Sequence, residues 1–392
     1  MEILFYVALL LFSGLIFARV FNYFKFPDVT GFLLAGILVG PSVLGLVSVE
    51  GVAKLQLVSE IALAFIAFSI GSELDLNNLK EYGSKIIMVT LAEAIGAFLV
   101  VTFLCLWVFK TSLAFALVLG SISCATAPAA TLMVIRQYQA KGDLVEVLIP
   151  VVALDDAACI ILFGICSSMA ESLTSSEALN LVSMFVTPVL EIVLAILLGG
   201  VLGLVYLVLV QRTRNEGESL ALLLVLIFGA TALSLKLGLS NLLLLMASGL
   251  LITNLGHNTG RYTRQVDQIT PPIFLLFFVI SGADLNLGAL SSVGLLGIFY
   301  VLGRVLGKVA GSYMATRALG FPKTVQKNLG LTLVPQAGVA IGLSAAALQI
   351  FPGETGQTIR TVILGATIIY ELVGPLVAKF ALKRAGNIES HI

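Results

Sequence analysis

The 392-residue chain has little charge for its length. Lys, Arg, Asp and Glu together make up 11% of the residues, whereas apolar residues make up 59%. A soluble domain of this size needs more charge than this on its surface. The composition therefore excludes a soluble globular protein and indicates a polytopic membrane protein.

Net charge and reactive side chains are also scarce. The 22 basic and 22 acidic residues balance, and no basic or acidic run occurs, so no nucleic acid partner is expected. The start of the chain lacks the positive charge of a signal peptide, and we interpret its first apolar run as a span. Four cysteines lie in apolar segments without metal-ligand spacing, which favours small buried side chains over disulfides or metal ligands: Cys105, Cys124, Cys159 and Cys166.

Long apolar runs are what the chain has instead. A crossing helix needs about 20 apolar residues. Division at loop signals predicts an all-α protein with thirteen spans, at residues 3–21, 29–47, 56–73, 85–108, 112–135, 144–169, 179–210, 218–235, 239–255, 265–283, 290–316, 325–350 and 359–382.

The basic residues predict the orientation of these spans, because short cytoplasmic loops collect Lys and Arg. Of the 22 basic residues, Arg304 and Lys308 fall within a span. Sixteen of the others lie on the side opposite the N-terminus. The N-terminal side has only Lys54, Lys110, Lys236 and Arg360. The N-terminus is therefore predicted outside and the C-terminus in the cytoplasm.

The two halves of the chain repeat each other. Gly71-Ser-Glu-Leu-Asp-Leu has a counterpart 211 residues later in Gly282-Ala-Asp-Leu-Asn-Leu, and Pro128 has one in Pro335. The displacement is seven spans, an odd number, so the second copy must be inverted. Inverted repeats are common in secondary transporters, whose sites lie near the midplane. The predicted parts are a first repeat (1–178), a linker helix (179–211), a second repeat (212–384) and a tail (385–392).

Proline and small polar residues interrupt the fifth span at residues 121–131 and the twelfth at 333–340. Proline removes a helix donor, and one such segment alone would favour a kinked helix. Two at equivalent places predict crossed discontinuous helices around a buried or wet cavity. The residues predicted to form or support this crossing are Ser123, Thr126, Pro128, Pro335 and Gln336.

Asp155 and Asp156 lie in the sixth span, about 15 Å deep when counted from Glu146. A charge at this depth costs roughly 2.5 to 3.5 kcal/mol and marks ion or proton routes. We predict a cation and proton site at Asp156 and Asp155, with Thr126 and nearby carbonyls completing an oxygen cage. The alternative is a neutral, hydrogen-bonded structural pair.

Other charges also fall inside spans. Glu93 and Arg304, related by the same offset of 211 residues, are predicted to form a structural ion pair. Lys308 is expected to extend towards the cytoplasmic surface, and Glu371 to cap a broken helix or buffer protons. A glycine stripe predicts close helix packing in the eleventh span: Gly303, Gly307 and Gly311.

In this order the motifs resemble those of the monovalent cation:proton antiporter superfamily, in the bacterial branch of sodium/proton and potassium-efflux antiporters. The resemblance covers nearly the whole chain and rests on residues 26–45, 71–76, 126–128, 155–156, 277–284, 303–308 and 334–340.

The resemblance implies a core domain of helices 3–6 and 10–13 that moves like an elevator, and a dimerisation domain of the remaining helices. It also implies a homodimer in the bacterial inner membrane, with no cofactor beyond the transported ions. Asp156 would hold the cation and the proton in turn, with Asp155 beside it. A core that carries an empty, anionic site would cross the membrane poorly, so it would move only with a cation or a proton bound. This enforces exchange. With an inward proton gradient, the direction would be cation export.

One departure leaves the proton stoichiometry open. Members with two Asp residues often place a lysine in the tenth span, but no Lys or Arg occurs between Arg264 and Arg304. Potassium-efflux relatives usually lack the first Asp and carry a cytoplasmic nucleotide-binding domain. The chain ends eight residues after Arg384, so such gating is expected from a separate subunit. These differences favour Na⁺ or Li⁺ over K⁺.

Three other classes compete with antiport. A sodium-coupled organic anion symporter on a similar scaffold needs cationic or polar groups between the breaks, where Ala127, Ala129, Ala130 and Gly338 offer little. An ion channel needs a filter-like segment. An intramembrane aspartyl protease needs two acids that face each other from separate helices. Asp155 and Asp156 are neighbours in one span and cannot do so, and no enzyme activity is expected.

Overall fold

The computed structural model describes residues 2–74, 76–175, 186–256, 259–285, 287–288, 294–351 and 353–388. These residues contain α-helices and no strand, which confirms the all-α fold class. The helices are α1 (Glu2–Tyr23), α2 (Asp28–Val39), α3 (Val49–Lys54), α4 (Gln56–Glu73), α5 (Leu76–Phe103), α6 (Leu113–Ile122), α7 (Pro128–Gln137), α8 (Asp143–Ser175), α9 (Thr187–Val210), α10 (Glu216–Leu237), α11 (Asn241–Leu255), α12 (Thr259–Asp284), α13 (Gly294–Ala318), α14 (Lys323–Thr332), α15 (Gly338–Ile350) and α16 (Glu354–Arg384).

Seven of the described helices are long and apolar enough to cross a membrane: α1, α5, α8, α9, α10, α13 and α16. Six shorter apolar helices or helix segments lie in α2, α4, α6, α11, α12 and α15. The chain is therefore a multi-pass membrane protein. The number of thirteen crossings stays a prediction, as does the orientation of the termini.

Two helices differ from the predicted spans. The second span was predicted to reach residue 47, but α2 ends at Val39. Gly40 is extended and Pro41 follows it, and proline has no N–H to continue the helix. The chain then folds back, with Val47 N donating to Val39 O at 3.0 Å. In the fourth span, α5 is α-helical only to Phe103, and a π-helical turn (Leu104–Val108) completes the span.

The fifth and twelfth spans are discontinuous, as the sequence predicted. The helix stops after Ile122 and restarts at Pro128, the first helical position, where a missing N–H costs nothing. The second interruption separates α14 from α15 at residues 333–337. Ala127 N donates to Pro335 O at 2.9 Å, so the two interruptions meet.

Glycines bring α5 and α13 into backbone contact. A Cβ atom on Gly307 would lie 2.4 Å from Gly96 O, and one on Gly311 would lie 2.2 Å from Ala92 O. The glycine stripe therefore packs closely, as predicted. It fixes the face of α13 that carries Arg304 against α5.

Two further helix contacts are related in the way that an inverted repeat requires. A Cβ atom on Gly71 of α4 would lie 2.1 Å from Met246 O of α11. Its counterpart on Gly282 of α12 would lie 2.2 Å from Leu33 O of α2. Thus α4 packs on α11 as α12 packs on α2. The repeat and its boundaries stay predictions, and part of the motif, including Asp75, lies outside the described residues.

The helices pack in two groups within the described residues. One contains α1, α2, α4 and α9–α12, with α4 on α11 and α12 on α2. The other contains α5–α8 and α13–α16, with α13 on α5 and α6 on α8. The groups meet where α16 and α7 contact α2 and where α8 contacts α4 and α9.

We expect Gly307→Ala to lower the stability of the protein by about 1–3 kcal/mol, because its methyl group would overlap Gly96 O. The matched control is Gly229→Ala in α10, where an added Cβ meets no atom within 4 Å. That variant should be neutral or slightly more stable, since alanine favours helix over glycine. Thermal unfolding in detergent compares the two, and equal melting temperatures would argue against the tight contact.

Candidate functional site

Asp155 and Asp156 lie inside α8 and are 0% and 1% exposed. Both oxygens of Asp155 and Oδ1 of Asp156 lack a hydrogen-bond partner among the described residues. A buried carboxylate without hydrogen bonds is costly, so these oxygens need a proton or a cation. A neutral structural pair would need hydrogen bonds to these three oxygens, and none is found among the described residues.

Lys308 lies beside this pair. Its Nζ is 2.5 Å from Glu93 Oε2 and 3.5 Å from Asp155 Oδ2, and all three side chains are fully buried. The expectation that Lys308 extends to the surface is wrong. Even the nearer end of α13, at Ala318, is ten residues away, about 15 Å along the helix, which is farther than a lysine side chain reaches.

Arg304 occupies the crossing of the broken helices. Its Nε donates to Ser123 O at 2.9 Å, its Nη1 to Val334 O at 2.6 Å and its Nη2 to Ala125 O at 2.6 Å. Its guanidinium carbon lies 4.6 Å from the centre of the Tyr370 ring. The predicted Glu93–Arg304 ion pair is therefore corrected. Glu93 pairs with Lys308, one helical turn further along α13, while the forked guanidinium bonds carbonyls that the interruptions leave free.

The charge of Arg304 is matched by helix ends. The half-helices α6 and α14 both end at the crossing, and a helix C-terminus carries roughly half a negative charge. Two such ends balance one guanidinium. Gln336 Nε2 also donates to Ile122 O at 3.0 Å, and the Tyr300 hydroxyl hydrogen-bonds the same amide.

These bonds change the predicted oxygen cage. The carbonyls near the acidic pair accept from Arg304 and Gln336, and the Ser123 hydroxyl donates to Gly120 O at 2.5 Å. Thr126 is different, because its Oγ1 is buried and has no partner among the described residues. Of the crossing side chains, Thr126 is therefore the one that has a buried oxygen to offer a cation.

A cavity of about 570 Å³ reaches the crossing from between the two helix groups. Thr126, Pro128, Pro335 and Glu371 line it, whereas Asp155 and Asp156 do not. The cavity and the acidic pair thus lie on different parts of the crossing. The four cysteines are buried, as predicted.

A pattern in the sequence did indicate that Lys308 is buried, although its position near the cytoplasmic end of the span suggested otherwise. Buried polar side chains recur every four residues along α13, so they share one inward face. These residues are Tyr300, Arg304, Lys308, Ser312 and Thr316.

Comparisons with known proteins agree with this architecture. Residues 7–384 match the family described as sodium/hydrogen exchanger, transmembrane. The chain is 26% identical to the Na(+)/H(+) antiporter NhaS4 of Synechocystis over 93% of each chain. It is 24% identical to the Na(+)/H(+)-K(+) antiporter GerN of Bacillus cereus over 97% of this chain and 96% of GerN. Its fold is similar to that of the sodium proton antiporter MjNhaP1 from Methanocaldococcus jannaschii, with a TM-score of 0.80 at 18% identity, over 100% of this chain and 99% of that one.

Lys308 and Glu93 should depend on each other for stability. We expect Lys308→Met to cost about 3–5 kcal/mol, because it leaves the buried acids without their cation. Glu93→Gln should also destabilise, and the double variant should be much more stable than the sum of the two losses predicts. Thermal unfolding of the four proteins in detergent measures the coupling. Strictly additive losses would show that the two side chains act independently.

Proposed function

We propose that this chain, which belongs to the sodium/hydrogen exchanger transmembrane family, is a secondary active antiporter that exchanges Na⁺ or Li⁺ for protons. The observation that carries the proposal is the buried Asp155–Asp156 pair with unbonded oxygens beside crossed half-helices. Relatives named as antiporters match nearly the whole chain, which supports a transporter and not an enzyme.

In the proposed mechanism, cation and proton compete for Asp156. A cation that enters displaces the proton, and the core then moves. The cation leaves when a proton from the other side neutralises the carboxylate. Asp155 adds oxygen ligands, while Arg304 holds the half-helices together through their carbonyls.

The buried charges support an exchange of one proton for each cation. Glu93, Asp155 and Asp156 are three acids, and Lys308 is one base. Without a cation, two carboxyl protons make this cluster neutral; with one monovalent cation, one proton suffices. If only neutral states cross the membrane, one proton moves for each cation. Glu93 supports this count, because its contact with Lys308 does not depend on Asp155.

The packing supports a revised division of the moving parts. The resemblance implies a core of spans 3–6 and 10–13. Spans 3 and 10 are α4 and α12, and these helices pack on α11 and α2. We therefore assign α5–α8 and α13–α16 to the moving core and the other described helices to the frame. The frame is proposed to form a homodimer in the bacterial inner membrane, and a separate cytoplasmic subunit would supply any nucleotide gating.

Sodium is favoured over potassium because two acids form the site and the similar relatives are named for Na⁺. GerN is also named for K⁺, so a K⁺/H⁺ antiporter is the second candidate. An anion symporter gains less support. Two cations do lie near the breaks, but Arg304 is bonded by carbonyls and Lys308 by carboxylates. Neither is free for an anion.

Asp156→Asn should abolish cation-driven proton movement, because the amide cannot exchange a proton for a cation. The measurement follows luminal pH in proteoliposomes with an imposed proton gradient while Na⁺, Li⁺ or K⁺ is added. We expect a response to Na⁺ and Li⁺ in the wild type, and the background of empty liposomes in the variant.

The matched control is Asp143→Asn, the same substitution at the exposed start of α8, which should exchange like the wild type. Exchange by a folded, inserted Asp156→Asn protein would refute the role of Asp156. A wild type that responds to none of the cations would refute antiport and favour the anion symporter.

A further inference from the structure

The cavity between the two helix groups contains an acidic residue that the mechanism above does not use. Residues of α2, α4, α12 and α16 and both helix interruptions line this space of about 570 Å³. Glu371, on α16, is one of them and is 5% exposed. Its Oε2 has no hydrogen-bond partner among the described residues.

A second unpartnered oxygen lines the same cavity. Thr126 Oγ1 is buried and lacks a partner among the described residues. Burial of two such oxygens without partners is unfavourable, and native proteins rarely leave them so. A hydroxyl and a carboxylate are ligands suited to a hard cation, which takes oxygen donors.

The charges that line the cavity favour a cation as the occupant. Among the described lining residues, Glu60, Asp284 and Glu371 are acidic and Arg360 is basic. Arg360 and Asp284 are both exposed, so solvent screens both charges, whereas Glu371 is buried. Asp284 ends α12, where the helix dipole is also negative. Its negative charge repels that of Glu371. The polar side chains that face Glu371 thus leave a negative surplus.

The position of the cavity relates it to the transport site. Thr126 belongs to the interruption between α6 and α7, next to Ala125, whose carbonyl accepts from Arg304. Asp155 and Asp156 do not line the cavity. An ion that reaches Thr126 from the cavity has therefore arrived at the crossing without having met either Asp.

We propose that Glu371 and Thr126 form a second binding site for a monovalent cation, distinct from the Asp155–Asp156 pair and occupied before the ion passes to that pair. Its role as an entry station rests on the proposed antiport function, whereas its ability to bind a cation does not. Asp284, nearer the end of α12, adds negative charge that raises the local cation concentration.

Equilibrium binding of radioactive Na⁺ to the purified protein in detergent tests the site directly. The background is the Asp155→Asn/Asp156→Asn double variant, which removes the transport carboxylates. We expect this variant to keep one saturable Na⁺ site and to lose it when Glu371→Gln is added. Addition of Glu191→Gln, an exposed glutamate of α9, should leave the residual site unchanged.

Transport gives a second readout in otherwise wild-type protein. Glu371→Gln should retain the maximal exchange rate but raise the Na⁺ concentration for half-maximal exchange by about tenfold, the loss of one charge-assisted contact. Size-exclusion and thermal unfolding verify that the variants are folded.

The second site is refuted if the double variant binds no Na⁺ while the wild type does. It is also refuted if Glu371→Gln leaves the residual binding intact. These results differ from a failure of antiport, in which the wild type shows no cation-driven pH change. Residual Na⁺ binding that depends on Glu371 would survive that failure.

Discussion

The cost of an unbalanced charge in a low-dielectric interior is the constraint on which the rest of this structure depends. Arg304, Lys308, Glu93, Asp155 and Asp156 are all within 1% of full burial. Each cation has its own compensation: carbonyls and two helix ends for Arg304, and carboxylates for Lys308. Both oxygens of Asp155 and Oδ1 of Asp156 lack a hydrogen-bond partner among the described residues. In the proposed mechanism, a transported ion or proton balances the charge of this pair.

The helix architecture serves this balance. One helix, α13, carries both cations one turn apart, so a single rigid element holds the crossing with Arg304 and the acids with Lys308. Glycines on the adjacent face let α5 approach to backbone contact, which brings Glu93 within reach of Lys308. The interruptions at residues 123–127 and 333–337 supply the carbonyls that Arg304 needs. Removal of any one part leaves another part uncompensated.

The sequence predicted those features that depend on residues close together in the chain. Proline and small residues predicted both interruptions, and a pair of acids in an apolar run predicted a buried site at Asp155 and Asp156. Pairing across helices was less accessible. Symmetry of position suggested Glu93 with Arg304, but the interruptions expose carbonyls that bind guanidinium better, and Glu93 is left to Lys308. The assignment of α4 and α12, and the cavity that reaches Glu371, depend on the packing of distant segments and have no sequence signature.

Charge neutrality is the proposed rule of transport, and the response of exchange to membrane potential tests it most directly. In proteoliposomes with a proton gradient, the rate of Na⁺-driven pH change is measured while a potassium gradient and ionophore clamp the potential at positive, zero and negative values. Passage of neutral states alone predicts one proton per cation, and therefore the same rate at every potential. A rate that changes with potential would mean that a charged state crosses the membrane, and would contradict the neutral cluster of Glu93, Lys308, Asp155 and Asp156.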